Sequence, residues 1–200
     1  TNINIAVLFG GISSEREVSI KSAMEIIPVL DQKHNIQLIE LNHLNFSSFI
    51  YQIKDNSLVF NALHGGEGEN GQIQSFLSQH GIPYTGSGPM ASMLAMNKHF
   101  TKIIAIENQI KTPNWLTFRF DEKKMPRLLS FKSNKKIRFP LVVKPNFQGS
   151  TLGISIVKGK DDLDDAIKLA SIYSNEIILE EFIDGRELTV GIVGNKALEV

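Results

Sequence analysis

One lysine, one glycine-rich turn and a few scattered acids are the residues here whose types and spacing could do chemistry. Lys144 follows the apolar run Leu141-Val142-Val143, and Gln148-Gly149-Ser150-Thr151-Leu152-Gly153 comes just after it. Glycines let backbone N–H groups converge on an anion, and the hydroxyls of Ser150 and Thr151 would add donors. The turn is not a Walker A loop, because no Gly-Lys-Ser/Thr follows and no helix opens there. Strand-like residues on both sides make it a flap able to close over phosphates, with Lys144 as a fitting counter-charge. A plain glycine-rich hairpin with a solvated edge lysine explains the same residues. Lys98, just after Asn97, falls where the pattern of the chain changes. Junctions of that kind favour ligands, although a surface lysine is the simpler account.

The acids fall in three places. Glu180 and Glu181 are adjacent in the apolar stretch Ile177–Ile183, so on a strand they point to opposite faces. One could meet an adenine or ribose edge and the other solvent. Glu187 could accept from ribose hydroxyls, or all three could simply sit on a half-exposed strand. Glu15 lies just after the first strand, at the edge of an open α/β sheet where ligands bind. It would either hold a substrate ammonium or favour the start of a helix. His64 heads the loop His64-Gly65-Gly66-Glu67-Gly68-Glu69-Asn70-Gly71 and shares that edge if its strand is parallel to the first. Gly10-Gly11 does not fit Gly-x-Gly-x-x-Gly, and no His or Asp cluster has metal-ligand spacing.

These residues need elements to position them. Ile3–Phe9, Ile36–Leu41 and Leu58–Leu63 read as buried strands. Ser14-Glu15-Arg16-Glu17 matches a capping box, and Val18, Ala23, Ile26, Ile27 and Leu30 give the following helix an apolar side. Ile73, Phe76 and Leu77 mark a helix that Gly81 ends, Ile82–Thr85 reads as a short strand, and Gly88-Pro89 opens another helix. Strands alternating with helices predict a parallel sheet covered on both faces, in a first domain over residues 1–97. Residues 98–185 change style. Phe100, Ile103, Ile104 and Ile110 suggest a helix closed by Thr112-Pro113, Trp115–Phe120 follows, and Asp121–Arg138 reads as a solvated helix and loop. Leu141–Pro145 and Ile154–Val157 form an antiparallel hairpin around the glycine turn. A helix over Asp161–Tyr173 and strands over Glu176–Phe182 and Glu187–Val193 follow. Residues 186–200 begin a third unit whose last strand, from Lys196, is cut short.

The bulk numbers suit an ordinary globular protein. Lys plus Arg equals Asp plus Glu at 21 each, so the formal net charge is zero. That balance points to neither nucleic acid nor a membrane. No stretch is long and apolar enough to span a bilayer, and the N-terminus lacks the pattern of a secretory signal. With no cysteine, disulfides and thiolate metal sites are excluded, and a cytoplasmic location is expected.

Several motifs resemble the D-alanine–D-alanine ligases, an ATP-grasp family. Leu8-Phe9-Gly10-Gly11-Ile12-Ser13-Ser14-Glu15-Arg16-Glu17-Val18-Ser19 is similar to the family's opening Gly-Gly-x-Ser-x-Glu-Arg-x-Val-Ser. Leu63-His64-Gly65 through Glu69-Asn70-Gly71 resembles its Leu-His-Gly-x-x-Gly-Glu-Asp-Gly, with Asn70 in place of Asp. Pro83–Gly88, Met96-Asn97-Lys98, Val143-Lys144-Pro145, Gly149–Gly153 and Gly185–Val190 follow in family order. The resemblance implies an N-terminal open parallel α/β domain followed by an ATP-grasp domain, the latter incomplete. It implies that Lys98 and Lys144 bind ATP phosphates under a flap carrying Ser150 and Thr151. Glu180, Glu181, Phe182 and Ile183 would read the adenine and Glu187 the ribose. Glu15 would bind the amino group of the first D-alanine, with Val18 and His64 also on the substrate side, and Ser150 would link the flap to Glu15. The implied activity joins two D-alanines through an acyl phosphate, with ATP and Mg²⁺ (or Mn²⁺), for peptidoglycan, in a homodimer. Family members run on well past this length, and their metal ligands are expected beyond Val200. A chain ending there is expected to be inactive alone. A related ligase taking D-lactate, and a non-catalytic nucleotide-binding fragment, stay open.

Overall fold

The computed structural model describes residues 2–55, 57–121, 124–131 and 137–200. Strand β1 (Asn4–Gly10) lies between β2 (Asn35–Leu41) and β3 (Ser57–Asn61), all parallel, with Ile5 opposite Ile36 and Leu58. A central parallel strand is buried on both faces, which is why the run from Ile5 to Leu8 is apolar without alternation. Its residues divide between two cores according to the two-residue period of a strand. Ile5, Val7 and Phe9 pack with Ala23, Ile26 and Ile27 of α1 (Arg16–Leu30). Ala6 and Leu8 pack on the opposite face with Phe49, Ile73 and Leu77. The latter two belong to α3 (Gln72–Gln79), which a single turn, α2 (Gly66–Glu69), precedes.

Two local expectations fail here. The Ser14–Glu17 capping box does not form. Glu15 takes the N-cap position of α1, and no side chain caps the helix. Its amide instead donates to the Ser13 hydroxyl at 3.1 Å. Ile82–Thr85 is not a strand but a single parallel bridge between Val59 and Tyr84. Pro83 offers only its carbonyl, to Val59 N at 2.8 Å, so the ladder cannot extend through it.

Helices α4 (Pro89–Met96) and α5 (Lys98–Glu107) then lead to a second sheet. Asn97 caps α5, its side chain accepting from Phe100 N at 3.0 Å. The second sheet is antiparallel, in the order β5-β4-β8-β6-β7. Its strands are β4 (Trp115–Asp121), β5 (Lys124–Phe131), β6 (Leu141–Pro145), β7 (Ser155–Val157) and β8 (Glu176–Glu181). Helix α6 (Leu163–Ser171) covers one face, where Ala166 and Ala170 meet Val143, Val157 and Ile177.

The stretch expected to be a solvated helix and loop contains β5, paired antiparallel along β4. Met125, Leu128, Leu129 and Phe131 give this part of the stretch strand-forming residues, and the open edge of β4 offers its backbone partners. Residues 122–123 and 132–136 of that expectation lie outside the described residues. The strand expected over Glu187–Val193 shrinks to β9 (Ile192–Val193), paired only with β10 (Lys196–Ala197). A two-stranded ribbon with exposed residues on both strands has no core to lengthen it. No described helix is long and apolar enough to cross a membrane.

Leu77 has no exposed surface and lies in the core beneath β1. Leu77→Ala is expected to destabilise the fold by about 2–5 kcal/mol through lost transfer energy and a cavity. Urea unfolding of the variant against the parent checks this.

Candidate functional site

Two groups of side chains meet at the carboxyl end of β1. The first is held by the loop after that strand. Gly10 and Gly11 take φ of +83° and +90°, turning the chain away from the sheet. Ile12 N then donates to Glu67 Oε1 at 2.6 Å, and Ser13 Oγ donates to the His64 carbonyl at 2.7 Å. The β1 loop and the His64–Gly71 loop are thus tied together. Between them sits Glu15, only 6% exposed. Gly65, at φ +63°, leaves room for it, since a Cβ there would stand 2.6 Å from Glu15 Oε1. Ser150 of the glycine turn donates its hydroxyl to Glu15 Oε2. Glu15 Oε1 is buried and has no hydrogen-bond partner. A buried carboxylate oxygen left open in this way is costly unless a donor completes it.

The second group is cationic. Glu180, 7% exposed, is bridged by two lysines. Lys144 Nζ donates to its Oε1, and Lys102 Nζ lies 2.8 Å from its Oε2. Lys98 Nζ donates to the carbonyl of Gln148, at the start of the glycine turn. Burial and the Lys144 ammonium push Lys98 down to about 8, against the pull of Glu180. Lys102 is lowered too, chiefly by burial, with Glu180 pulling the other way. Three ammonium groups around one buried carboxylate leave an excess of positive charge that an anion would offset.

Asn146 holds this arrangement in register. It is 1% exposed, donates to Asn97 Oδ1 at 3.1 Å and Glu176 Oε2 at 3.2 Å, and accepts from His99 N at 2.9 Å. The start of α5, carrying Lys98, is thereby pinned to the end of β6, carrying Lys144. In the turn between β6 and β7, Ser150 and Thr151 take φ of +49° and +64°, which only glycine adopts without strain. Strain at two successive hydroxyl residues suits a loop shaped for contact rather than for stability.

The expected residues are placed unevenly. Lys98, Lys144 and Glu180 gather, and Glu15 meets Ser150. Thr151 follows Ser150 and is exposed. Glu181 turns to the other face, where Oε2 accepts from Asn114 Nδ2 at 2.8 Å. Phe182 N donates to the Pro140 carbonyl at 3.2 Å, while Ile183 and Glu187 are exposed beyond β8. Val18 is 47% exposed on α1, not part of its apolar side. His64 shares the loop with Gly65, but its ring Nε2 pairs with Ser22 Oγ at 2.9 Å. Lys102, Glu67 and Asn146 escaped sequence reasoning. Lys102 alone carried a signal: it is four residues after Lys98, hence on the same side of a helix.

The chain matches two family models, "D-ala D-ala ligase N-terminus" over residues 40–87 and "D-ala D-ala ligase C-terminus" over residues 104–200. A D-alanine–D-alanine ligase of Coprothermobacter proteolyticus is 40% identical over 191 residues, covering 95% of this chain and 62% of the relative. The crystal structure of a D-alanine–D-alanine ligase from Bacillus anthracis superposes with a TM-score of 0.78 at 37% identity, over 92% of this chain and 58% of that one. The same organism's enzyme complexed with ATP gives 0.76 at 35% identity, over 92% and 60%. The fold is therefore that of the ATP-grasp ligases. Within them, this chain belongs to the D-alanine–D-alanine ligase family. It spans about three-fifths of the length of the curated relatives it matches, 62% and 63% for two of them.

Lys98 gives the site a pH signature. Its folded value, about 8, lies below the ordinary 10.5, so the unfolded chain binds more protons between those limits. Holding this ammonium therefore costs folding stability below about pH 8, and the cost is relieved as pH rises from there toward 10.5. Anion affinity runs the other way, because the ammonium is the binding form. Calorimetric titration with tripolyphosphate is expected to show affinity falling as pH rises through about 8, with that inflection absent in Lys98→Met.

A methyl group at residue 65 would collide with Glu15 Oε1 and strain a positive φ. Gly65→Ala is expected to lower the melting temperature and to break the bond between Glu15 and Ser150. Thermal unfolding and a crystal structure of the variant check both effects.

Proposed function

We propose that the intact protein joins two D-alanines to D-alanyl-D-alanine, consuming ATP through an acyl phosphate, for peptidoglycan in the cytoplasm. The observation that carries this is the bond from Ser150 to Glu15, with Glu15 Oε1 left open. It places an acceptor for an ammonium against a turn suited to a polyphosphate. An amino acid held by its ammonium at Glu15 would present its carboxylate toward the turn, where a nucleotide would present its terminal phosphate. Juxtaposing two reactants in this way is most of what phosphoryl transfer needs.

Lys98 and Lys144 are the phosphate ligands, with Ser150 and Thr151 in the flap over them. Glu180, Glu181, Phe182 and Ile183 line the adenine side, and Glu187 takes the ribose. Val18 and His64 stand on the substrate side with Glu15. A carboxylate oxygen of the first D-alanine attacks the γ-phosphorus, and ADP departs. The free amine of the second D-alanine then attacks the acyl carbonyl. Phosphate leaves from the tetrahedral intermediate, taking the carboxylate oxygen with it, and the amine loses a proton. Ser150 fixes Glu15 and hence the first amino acid, while the lysines offset the phosphate charge. Mg²⁺ (or Mn²⁺) accompanies such a nucleotide and neutralises it. No group of three or more His, Cys, Asp or Glu among the described residues could hold a metal ion. Residues 1–97 form the substrate-side domain, 98–185 the central ATP-grasp part and 186–200 the start of the next. The working unit is a homodimer.

The test is phosphate release from ATP by the intact protein. Release is expected only with D-alanine present, alongside the dipeptide; release indifferent to D-alanine would reject the proposal. Glu15→Gln removes the charge opposite the ammonium and is expected to raise the KM for D-alanine about tenfold or more. The KM for ATP should stay within about a factor of two, which steady-state kinetics with each substrate varied would show.

A further inference from the structure

Among the three lysines of the cationic group, hydrogen-bond inventory separates one from the other two. An ammonium has three N–H donors. Lys102 donates to Thr112 Oγ1 at 2.8 Å and to the Pro113 carbonyl at 3.1 Å, and it forms an ion pair with Glu180 Oε2 at 2.8 Å. It also lies over the Trp115 ring, 5.2 Å from the centroid, and is 7% exposed. Lys98 and Lys144 each make one recorded side-chain bond, to Gln148 and to Glu180. They keep donors for a ligand, whereas Lys102 is held on three sides by Glu180, Thr112 and Pro113.

We propose that Lys102 is a positioning residue for the nucleotide site, dedicated to Glu180, and that it keeps Lys144 available by sharing that carboxylate. The proposal rests on the assignment of this cluster to ATP. Its physical basis is the division of one buried carboxylate between two ammonium groups. With Lys102 on Oε2, Lys144 is held by a single oxygen, Oε1, and can turn toward phosphate without stranding the carboxylate. Without Lys102, Glu180 has Lys144 as its one recorded cation partner. Leaving it would abandon a charge that is buried, which the carboxylate resists. Lys144 would then be withdrawn from the ligand, and the cluster would lose part of its positive excess. Thr112, Pro113 and Trp115 serve as the mount: Thr112-Pro113 follows α5 and Trp115 opens β4, so Lys102 is fixed from its own helix and from the sheet. Lys102 itself touches neither substrate nor the reacting atoms.

A double-mutant cycle in the intact protein tests this, read by direct binding of ADP in calorimetry and by the KM for each substrate. Lys102→Met is expected to weaken ADP binding about tenfold or more and to raise the KM for ATP in step. The KM for D-alanine, set at Glu15, should remain within about twofold. In the background of Glu180→Gln, which leaves no buried charge to share, adding Lys102→Met is expected to change ADP affinity less than about twofold. This double variant carries neither charge, so it reports even if Lys102→Met alone does not fold. A purely structural lysine would lower the melting temperature of Lys102→Met while the folded fraction bound ADP normally, and that result overturns the proposal. So does a full additional loss in the Glu180→Gln background. If the parent binds ADP and Lys102→Met binds it equally well, only the role of Lys102 falls. If the parent itself binds no ADP, the nucleotide assignment falls and the positioning role falls with it.

Discussion

Glu180 is a carboxylate with almost no contact with water, and two ammonium groups share it while a third stands nearby. Such a cluster is expensive to build. Each ion must be taken out of water, and the attraction between them repays this only with good geometry and satisfied hydrogen bonds. Here three lysines stand around one buried carboxylate, and burial, with the Lys144 ammonium second, lowers Lys98 to about 8. Much of the second sheet serves this cluster. Lys144 and Glu180 come from the neighbouring strands β6 and β8, which puts Lys144 opposite Ile178 and Val142 opposite Glu180. Lys98 and Lys102 come from α5, and Asn146 clamps the start of that helix to the end of β6. A fold gains nothing in stability from an unbalanced buried charge, so its sense lies in what it binds.

The parallel sheet supplies the complementary half. Its central strand ends in two glycines at positive φ, and the loop beyond them is tied by Glu67 and Ser13 to the loop that follows β3. Glu15 is trapped between these loops with one oxygen occupied by Ser150 and the other open. The Ser150 bond joins residues 135 positions apart, from two different sheets. The cationic cluster and the Glu15 carboxylate are thereby linked through the strained glycine turn, which carries both Gln148, bonded by Lys98, and Ser150.

How much of this was legible follows the range of the interactions. Strands β1, β2 and β3 were readable because burial on both faces writes an unbroken apolar run. Helix α3 was readable because Ile73, Phe76 and Leu77 mark one side. The glycine turn with Lys144, and Glu15 at the sheet edge, stood out because their types are costly anywhere else. What could not be read was pairing between distant segments. β5 carries Met125, Leu128, Leu129 and Phe131, and the lysines and serines around it masked a strand that pairs along the edge of β4. The capping box over Ser14–Glu17 was a sound local signal overridden when Ser13 bonded the Glu15 amide. Glu180 and Glu181 were correctly placed on opposite faces, but sequence could not show that two lysines share the Glu180 carboxylate. For Lys102 the sequence offered only its spacing of four from Lys98, which puts both on one side of a helix but does not show that this side is buried against Glu180.

The proposed ligation follows a single chemical path in which a carboxylate oxygen of the first amino acid becomes bonded to the phosphorus before the peptide bond forms. The most direct measurement is the fate of that oxygen. The intact protein would be supplied with ATP and D-alanine labelled with ¹⁸O in its carboxylate, and the released inorganic phosphate analysed by mass spectrometry. One labelled oxygen is expected in the phosphate for each dipeptide made. Dipeptide formed with unlabelled phosphate would contradict an acyl phosphate, and with it the account of why Glu15, Ser150 and the lysine cluster are brought together.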